Sequence, residues 1–208
     1  MHQPGSSPVQ AAPAPHASGV PAGVPTVPWL RRAWRVLGWL GWLERGVGTA
    51  LVLGIVIAIT IQVVTRYAFD RPLVWVEESA TYAFIWLVFI GASAALKAGR
   101  HILIETFLRS MSPRGAAALR AFLWLLVCAL MLTLLIQGIK VMGVEARSKT
   151  VSLPIEIARM WFYSVPLSYA ATSMLLSAVF FLVLETRAVL GFDPPLPPAA
   201  GLTVVAGQ

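Results

Sequence analysis

The chain has 208 residues, of which 58% are hydrophobic and only 12% are charged. A soluble domain averages about 25% charged residues, so this composition predicts a membrane protein. The net charge of +7 does not indicate nucleic-acid binding, because the arginines flank hydrophobic segments, where they orient a protein in the bilayer.

The chain begins with two segments of distinct composition. Residues 1–28 contain no Asp, Glu, Lys or Arg and many prolines, which predicts a disordered cytoplasmic tail. Residues 29–45 (WLRRAWRVLGWLGWLER) combine arginines with tryptophans, as is typical of an amphipathic helix lying in the lipid headgroup plane. The alternative is that they extend the first spanning helix. Gly38 and Gly41 disfavour a continuous helix, so we expect a separate interfacial helix.

Four runs of the chain lack any ionisable residue. They contain 20, 18, 19 and 25 residues and cover 46–65, 79–96, 121–139 and 160–184. Because a helix needs roughly 20 apolar residues to cross the ~30 Å hydrocarbon layer, we predict an all-α membrane protein with four transmembrane helices. The expected spans, within a domain from 46 to 187, are about 46–66, 78–97, 119–140 and 160–185.

Features at the end of the chain complete the predicted topology. Pro166 is expected to kink the fourth helix, and residues 188–208 are expected to form a disordered tail.

Ten of the 16 Lys and Arg residues lie on the side of the termini and six on the other side. Since cytoplasmic loops carry the excess, both termini are expected in the cytoplasm.

The four runs contain no group that transport or redox chemistry requires. Ion-coupled transport uses an ionisable group inside the membrane, and a haem would need histidines in the spans, but the histidines lie at positions 2, 16 and 101. Cys128 is the only cysteine and is predicted to be a small buried hydrophobe. The sequence therefore predicts no enzyme, no cofactor, no metal site and no transport by this chain alone.

The connection between the first two spans is rich in charge. Arg66 ends the first span and Glu77 and Glu78 begin the second, where each charge suits the local helix dipole. The connection is short enough for Arg66 or Arg71 to reach a glutamate, and Trp75 is an expected interfacial anchor. Two interpretations remain open. The pairing could be a hairpin clamp with helix capping, or a clamp that also shapes a surface for a partner protein.

Small residues on the first two spans allow another helix to approach closely. The second span contains GASAA, beginning at Gly91, and the first span has Gly54 with Ala58. These positions could serve packing within the bundle or contact with a partner.

The stretch RYAFDRPLVWVEESATYAFIWLVFIGASAALKAGRHILIE, which starts at Arg66, resembles the small membrane subunit of tripartite ATP-independent periplasmic (TRAP) transporters, the DctQ family. The segment SKTVSLPIEIARMWFYSVPLSYA also resembles this family, and the resemblance covers about 47–185. It rests on an Arg-aromatic pair, a Trp-x-Glu-Glu element, a Gly-Ala patch and a His-Ile element. The residues that we predict to form a structural clamp or subunit interface are Arg66, Arg71, Trp75, Glu77, Glu78, Gly91 and His101.

The resemblance implies a division of labour in a sodium-coupled importer of the bacterial inner membrane. A large permease subunit would carry the substrate and ion sites, a periplasmic solute-binding protein would deliver the solute, and this chain would be a non-catalytic scaffold in the lipid bilayer. Two other functions remain open from the sequence. One is a membrane anchor subunit of a respiratory or other enzyme complex, and the other is a homo-oligomeric channel, which the absence of a polar face on the spans disfavours.

Overall fold

The computed structural model describes residues 27–98 and 112–191. Within these ranges the chain forms α1 (Pro28–Ala68), α2 (Val74–Lys97), α3 (Pro113–Glu145), a short 3-10 helix (Arg159–Trp161) and α4 (Ser164–Val189). All four α-helices are long and apolar enough to cross a membrane. The prediction of an all-α protein with four transmembrane helices is therefore confirmed. The predicted tails lie mostly, and His101 wholly, outside the described residues.

The helix α1 is one uninterrupted helix of 41 residues. This differs from the prediction of a separate interfacial helix at 29–45. Gly38 and Gly41 lie inside the helix and are buried, so they do not break it. The alternative considered for this segment, an extension of the first spanning helix, is what the structure has.

The reason for this continuity is a hydrophobic core between the first half of α1 and the second half of α4. The core consists of six buried residues: Leu30, Trp34, Leu37, Phe180, Phe181 and Leu184. The α1 members recur at intervals of four and three residues, so they share one helix face. Packing of this face outweighs the ~1 kcal/mol by which each glycine disfavours a helix.

The helix α4 lies at the centre of the arrangement. It packs against α3 on one side and α2 on the other, and α2 also packs against α1. The apolar stretch of α4 is the most buried of the four, whereas those of α1 and α3 contain few fully buried residues. The outer faces of α1 and α3 therefore present apolar side chains to their surroundings.

The connection between α1 and α2 is only residues 69–73 long. The chain turns at Asp70, whose φ of 51° lies in the left-handed region that Asp tolerates better than most residues. The backbone N–H of Arg71 donates to the carbonyl oxygen of Thr65 at 3.1 Å, which closes the end of α1. This tight turn makes the first two helices antiparallel neighbours.

Pro166 does not lie where it could kink α4. Because α4 begins at Ser164, Pro166 falls in its first turn, where backbone N–H groups have no partner within the helix. The missing N–H therefore removes no helical hydrogen bond, and the fixed φ of proline suits a helix start. The expectation of a kink was wrong because it placed the helix start several residues too early.

Candidate functional site

A buried polar cluster joins α1, α2 and α4. Its centre is an ion pair between Lys97 of α2 and Glu44 of α1, with Nζ 2.6 Å from Oε1. Lys97 is 0% exposed and Glu44 is 2% exposed. Ser93 and Ser173 are buried beside the pair, and the hydroxyl of Tyr169 reaches it from the edge. We call these five residues the polar cluster.

The hydrogen bonds of Lys97 use its full donor capacity. Besides Glu44, the ammonium group donates to Ser93 Oγ at 3.1 Å and to Ser173 Oγ at 2.5 Å. An ammonium group has three N–H donors, so none is left for a further ligand. The charge of Lys97 is thus both neutralised and fully hydrogen-bonded inside the bundle.

The carboxylate of Glu44 is held equally firmly. Its Oε1 atom accepts bonds from the hydroxyls of Ser93 at 3.0 Å, Ser173 at 2.9 Å and Tyr169 at 3.2 Å, in addition to the ammonium group. The Oε2 atom is buried without a partner. All four donors therefore converge on one of the two carboxylate oxygens. The cluster therefore fixes three helices at one point.

The local sequence explains how Lys97 reaches this position. Ser93 and Lys97 are four residues apart, so they lie on one face of α2, and a helical side chain points back towards the N-terminus. On α1, Gly41 provides the space for the lysine stem. A Cβ atom at Gly41 would lie 3.3 Å from Lys97 Cδ. Glycine at this position lets the lysine side chain cross α1 to meet Glu44.

The polar cluster corrects one part of the sequence analysis. The four uncharged runs are indeed uncharged, but Glu44 and Lys97, which flank two of them, are buried between the helices. Ser173 lies near the middle of the run 160–184, so the ion pair sits level with the middle of the fourth span. The spacings Gly41–Glu44 and Ser93–Lys97 are the sequence signals that could have indicated it.

A second ion pair, half-buried, joins α3 to α4. Arg120 Nε lies 2.7 Å from Glu185 Oε1, and the side chain of Glu185 is 3% exposed. One turn further along α3, Trp124 stacks on Phe181 with ring centroids 4.7 Å apart. At the opposite end of the same two helices, Ser164 donates a hydrogen bond to Glu145. Polar contacts therefore hold α3 against α4 at both ends.

The predicted pairing of arginines with glutamates between α1 and α2 is not found. Arg66, Arg71, Trp75 and Glu77 are exposed, and no ion pair in the described part of the chain joins either arginine to Glu77 or Glu78. The role of the two arginines in contact with a partner stays a prediction.

The two glutamates instead accept hydrogen bonds from uncharged donors. Glu77 accepts from Gln62 Nε2 at 3.2 Å, which links α1 to α2. Glu78 accepts from the backbone N–H groups of Val151 at 3.2 Å and Ser152 at 2.6 Å, and from the hydroxyl of Tyr82 at 2.5 Å. Glu78 therefore fastens the loop between α3 and the 3-10 helix onto α2.

An aromatic group supports the same contact. The ring of Tyr82 stacks on Phe162 with centroids 4.0 Å apart and meets Tyr163 edge-to-face at 5.9 Å. The guanidinium of Arg159 lies 5.1 Å from the centre of the Tyr163 ring. Sequence analysis missed Tyr82, although its spacing of four residues from Glu78 places the two on one helix face.

The small residues of the first two spans face outward. A Cβ atom built at Gly91 or at Gly54 would meet no atom within 4 Å. Ala92 and Ala95 beside Gly91 are also exposed, whereas Ser93 faces the polar cluster. The glycines are thus not used for packing within the described bundle and remain open to an outside contact.

Across 27–98 and 112–191, no group of three His, Cys, Asp or Glu side chains could hold a metal ion.

Comparison with known proteins connects this bundle to a transporter family. Residues 55–188 match the family model described as tripartite ATP-independent periplasmic transporters, DctQ component. The chain is 32% identical over 84 residues to a Haemophilus influenzae (strain KW20 / Rd) protein described as a TRAP transporter small permease protein, a match covering 39% of this chain and 50% of the relative. It is also 32% identical over 71 residues to the sialic acid TRAP transporter permease protein SiaT of Haemophilus influenzae (strain 86-028NP). That match covers 34% of this chain and 11% of the relative.

Proposed function

The chain belongs to the DctQ family of TRAP transporter components, and from this premise we propose that it is the small permease subunit of a sodium-coupled solute importer. In this role it is a multi-pass membrane protein that packs against the large permease subunit, which carries the substrate and ion sites. It catalyses no reaction itself. A periplasmic solute-binding protein delivers the solute, the membrane is the bacterial inner membrane, and both termini face the cytoplasm.

The observation that carries the scaffold role is that the polar cluster uses every donor of Lys97. A carrier site must exchange its partners during transport, but every donor of Lys97 is bound by side chains of the bundle itself. Helices in lipid have no hydrophobic driving force between them, so interhelical hydrogen bonds act together with close packing to hold them in place. The cluster thus supports a part that stays fixed while a neighbouring subunit moves.

The relatives support the proposed partner. SiaT, of which the matched segment is about a tenth, is described as a TRAP transporter permease, so a similar segment occurs there within a much longer chain. The outward glycines of α1 and α2 offer surfaces on which helices of a separate large subunit can approach closely. Exposed apolar faces on α1 and α3 fit the same role.

Reconstitution tests the proposal directly. Vesicles containing the large permease subunit, its binding protein loaded with the solute that it binds, and a sodium gradient should take up solute only when this chain is present. Full uptake by the large subunit without this chain would contradict the scaffold role. Accumulation of solute in vesicles that contain this chain alone would contradict it equally, and co-purification with a haem or flavin protein would indicate an enzyme anchor instead.

The contact surface has a separate test. Gly91→Leu should weaken co-purification with the large permease subunit without changing the stability of the isolated chain, because the added side chain points away from the bundle. Gly143→Leu asks the same question of the exposed face of α3, since a Cβ atom at Gly143 also meets nothing within 4 Å; weakened co-purification in only one of the two variants identifies which helix contacts the large subunit. Unchanged co-purification for Gly91→Leu would remove Gly91 from the proposed interface.

A further inference from the structure

The first half of α1 carries arginine and tryptophan on the side that faces away from the bundle. At about 100° per residue, five exposed residues share an arc of about 100°, opposite the buried core residues of the same helix. They are Arg31, Arg32, Arg35, Trp39 and Trp42, and we call them the basic-aromatic face. Trp39 and Trp42 are 62% and 59% exposed, so the aromatic end of the face is open to its surroundings.

The positive charge of this face is not balanced within α1. Glu44 is the only carboxylate in Pro28–Ala68, and it is buried and bound to Lys97. No ion pair in the described ranges involves Arg32 or Arg35. Because Glu44 points into the bundle, it cannot pair with the guanidinium groups of Arg32 and Arg35. The face is therefore complementary to an anion from outside the bundle.

The order of residues along the helix matches the layers of a bilayer. The three arginines precede the two tryptophans by four to eleven residues, which is about 6–16 Å along the axis. Exposed Leu43 and Val47 follow the tryptophans. Glu44, level with the middle of the fourth span, follows Arg35 by nine residues and Arg32 by twelve, which is about 14–18 Å along the axis. Because half of the hydrocarbon layer is about 15 Å thick, these two arginines lie at the phosphate level and the tryptophans lie among the acyl chains.

We propose that the basic-aromatic face binds the phosphate group of an anionic phospholipid. The guanidinium groups of Arg32 and Arg35 bind the headgroup phosphate, since a guanidinium donates paired hydrogen bonds to phosphate oxygens. Trp39, Trp42 and Leu43 contact its acyl chains. This lipid site does not depend on the transport role proposed above, because it rests on charge and exposure in α1 alone.

Native mass spectrometry of the purified full-length chain in detergent tests the proposal, with phosphatidylglycerol and phosphatidylcholine as the added lipids. The wild-type chain should retain phosphatidylglycerol preferentially. Each basic residue near an anionic headgroup contributes about fivefold in affinity, so Arg32→Gln/Arg35→Gln should weaken phosphatidylglycerol binding about 25-fold. Binding of phosphatidylcholine should be unchanged.

The matched control is Arg66→Gln/Arg147→Gln. It removes the same charge from two exposed arginines that have no ion pair among the described residues and lie outside α1's first half. This variant should bind phosphatidylglycerol as the wild type does. Arg32→Lys/Arg35→Lys keeps the charge and should keep most of the preference, which separates loss of charge from loss of structure. Circular dichroism verifies that all variants keep their helical content.

Three results would overturn the proposal. The first is unchanged phosphatidylglycerol binding by Arg32→Gln/Arg35→Gln. The second is an equal loss in the control variant, which would mean attraction by net charge without a site. The third is that Arg32→Gln/Arg35→Gln abolishes co-purification with the large permease subunit while leaving lipid affinity intact, which would make this face a protein contact.

Discussion

Replacing Lys97 by methionine should destabilise the bundle by leaving Glu44 buried without its cation. Methionine is unbranched and fills nearly the same space, so the change removes the charge and three hydrogen bonds without creating a large cavity. Removing one partner of a buried ion pair costs about 3–5 kcal/mol.

The assay is equilibrium unfolding in mixed detergent micelles, followed by circular dichroism. Lys140→Met is the matched control, because Lys140 is exposed and such surface changes stay within about 0.5 kcal/mol. Adding Glu44→Gln to Lys97→Met removes both charges, so the double variant should regain more than half of the lost stability. Equal stability of Lys97→Met and Lys140→Met, or a double variant no more stable than Lys97→Met, would refute the role of the ion pair.

Two further predictions concern the space and the loop contacts of the bundle. Gly41→Leu should cost about 1–3 kcal/mol of unfolding free energy by overpacking, because even a Cβ atom there lies 3.3 Å from the Lys97 stem. At Gly46 a Cβ atom meets nothing within 4 Å, so Gly46→Leu should be neutral in the same unfolding assay. Glu78→Ala should speed hydrogen exchange at the amides of residues 151 and 152 at least about tenfold, since a lost hydrogen bond to a charged acceptor is worth about 1.5–3 kcal/mol. Glu77→Ala should leave that exchange unchanged, and similar exchange in both variants would contradict the contact of Glu78 with the loop.

The number and kind of helices could be predicted from the sequence because each span contains a long run without ionisable residues. Such a run has only one stable state in lipid, which is a helix that satisfies its own backbone. The extent of α1 could not be predicted in the same way. Its continuation through Gly38 and Gly41 depends on packing against Phe180 and Leu184, which lie about 140 residues away in the sequence.

The polar cluster escaped sequence analysis for a related reason. Glu44 and Lys97 each stand next to an uncharged run, where a charge is normally expected in the headgroup region. Only the antiparallel pairing of α1 and α2 brings them together across 53 residues. The proposed contact of Arg66 or Arg71 with a glutamate illustrates the opposite error, because proximity in sequence did not produce contact in space.

The distribution of polar contacts suits the fixed support that we propose this bundle to be. In lipid, apolar helix faces do not distinguish one register from another by hydrophobic burial, so directional contacts must set the register. The pair Lys97–Glu44 sets it for α1, α2 and α4 at one depth, while Arg120–Glu185 sets it between α3 and α4 at another. With the internal polar groups used in this way, the exposed apolar faces of α1 and α3 remain available for a neighbour that moves against them.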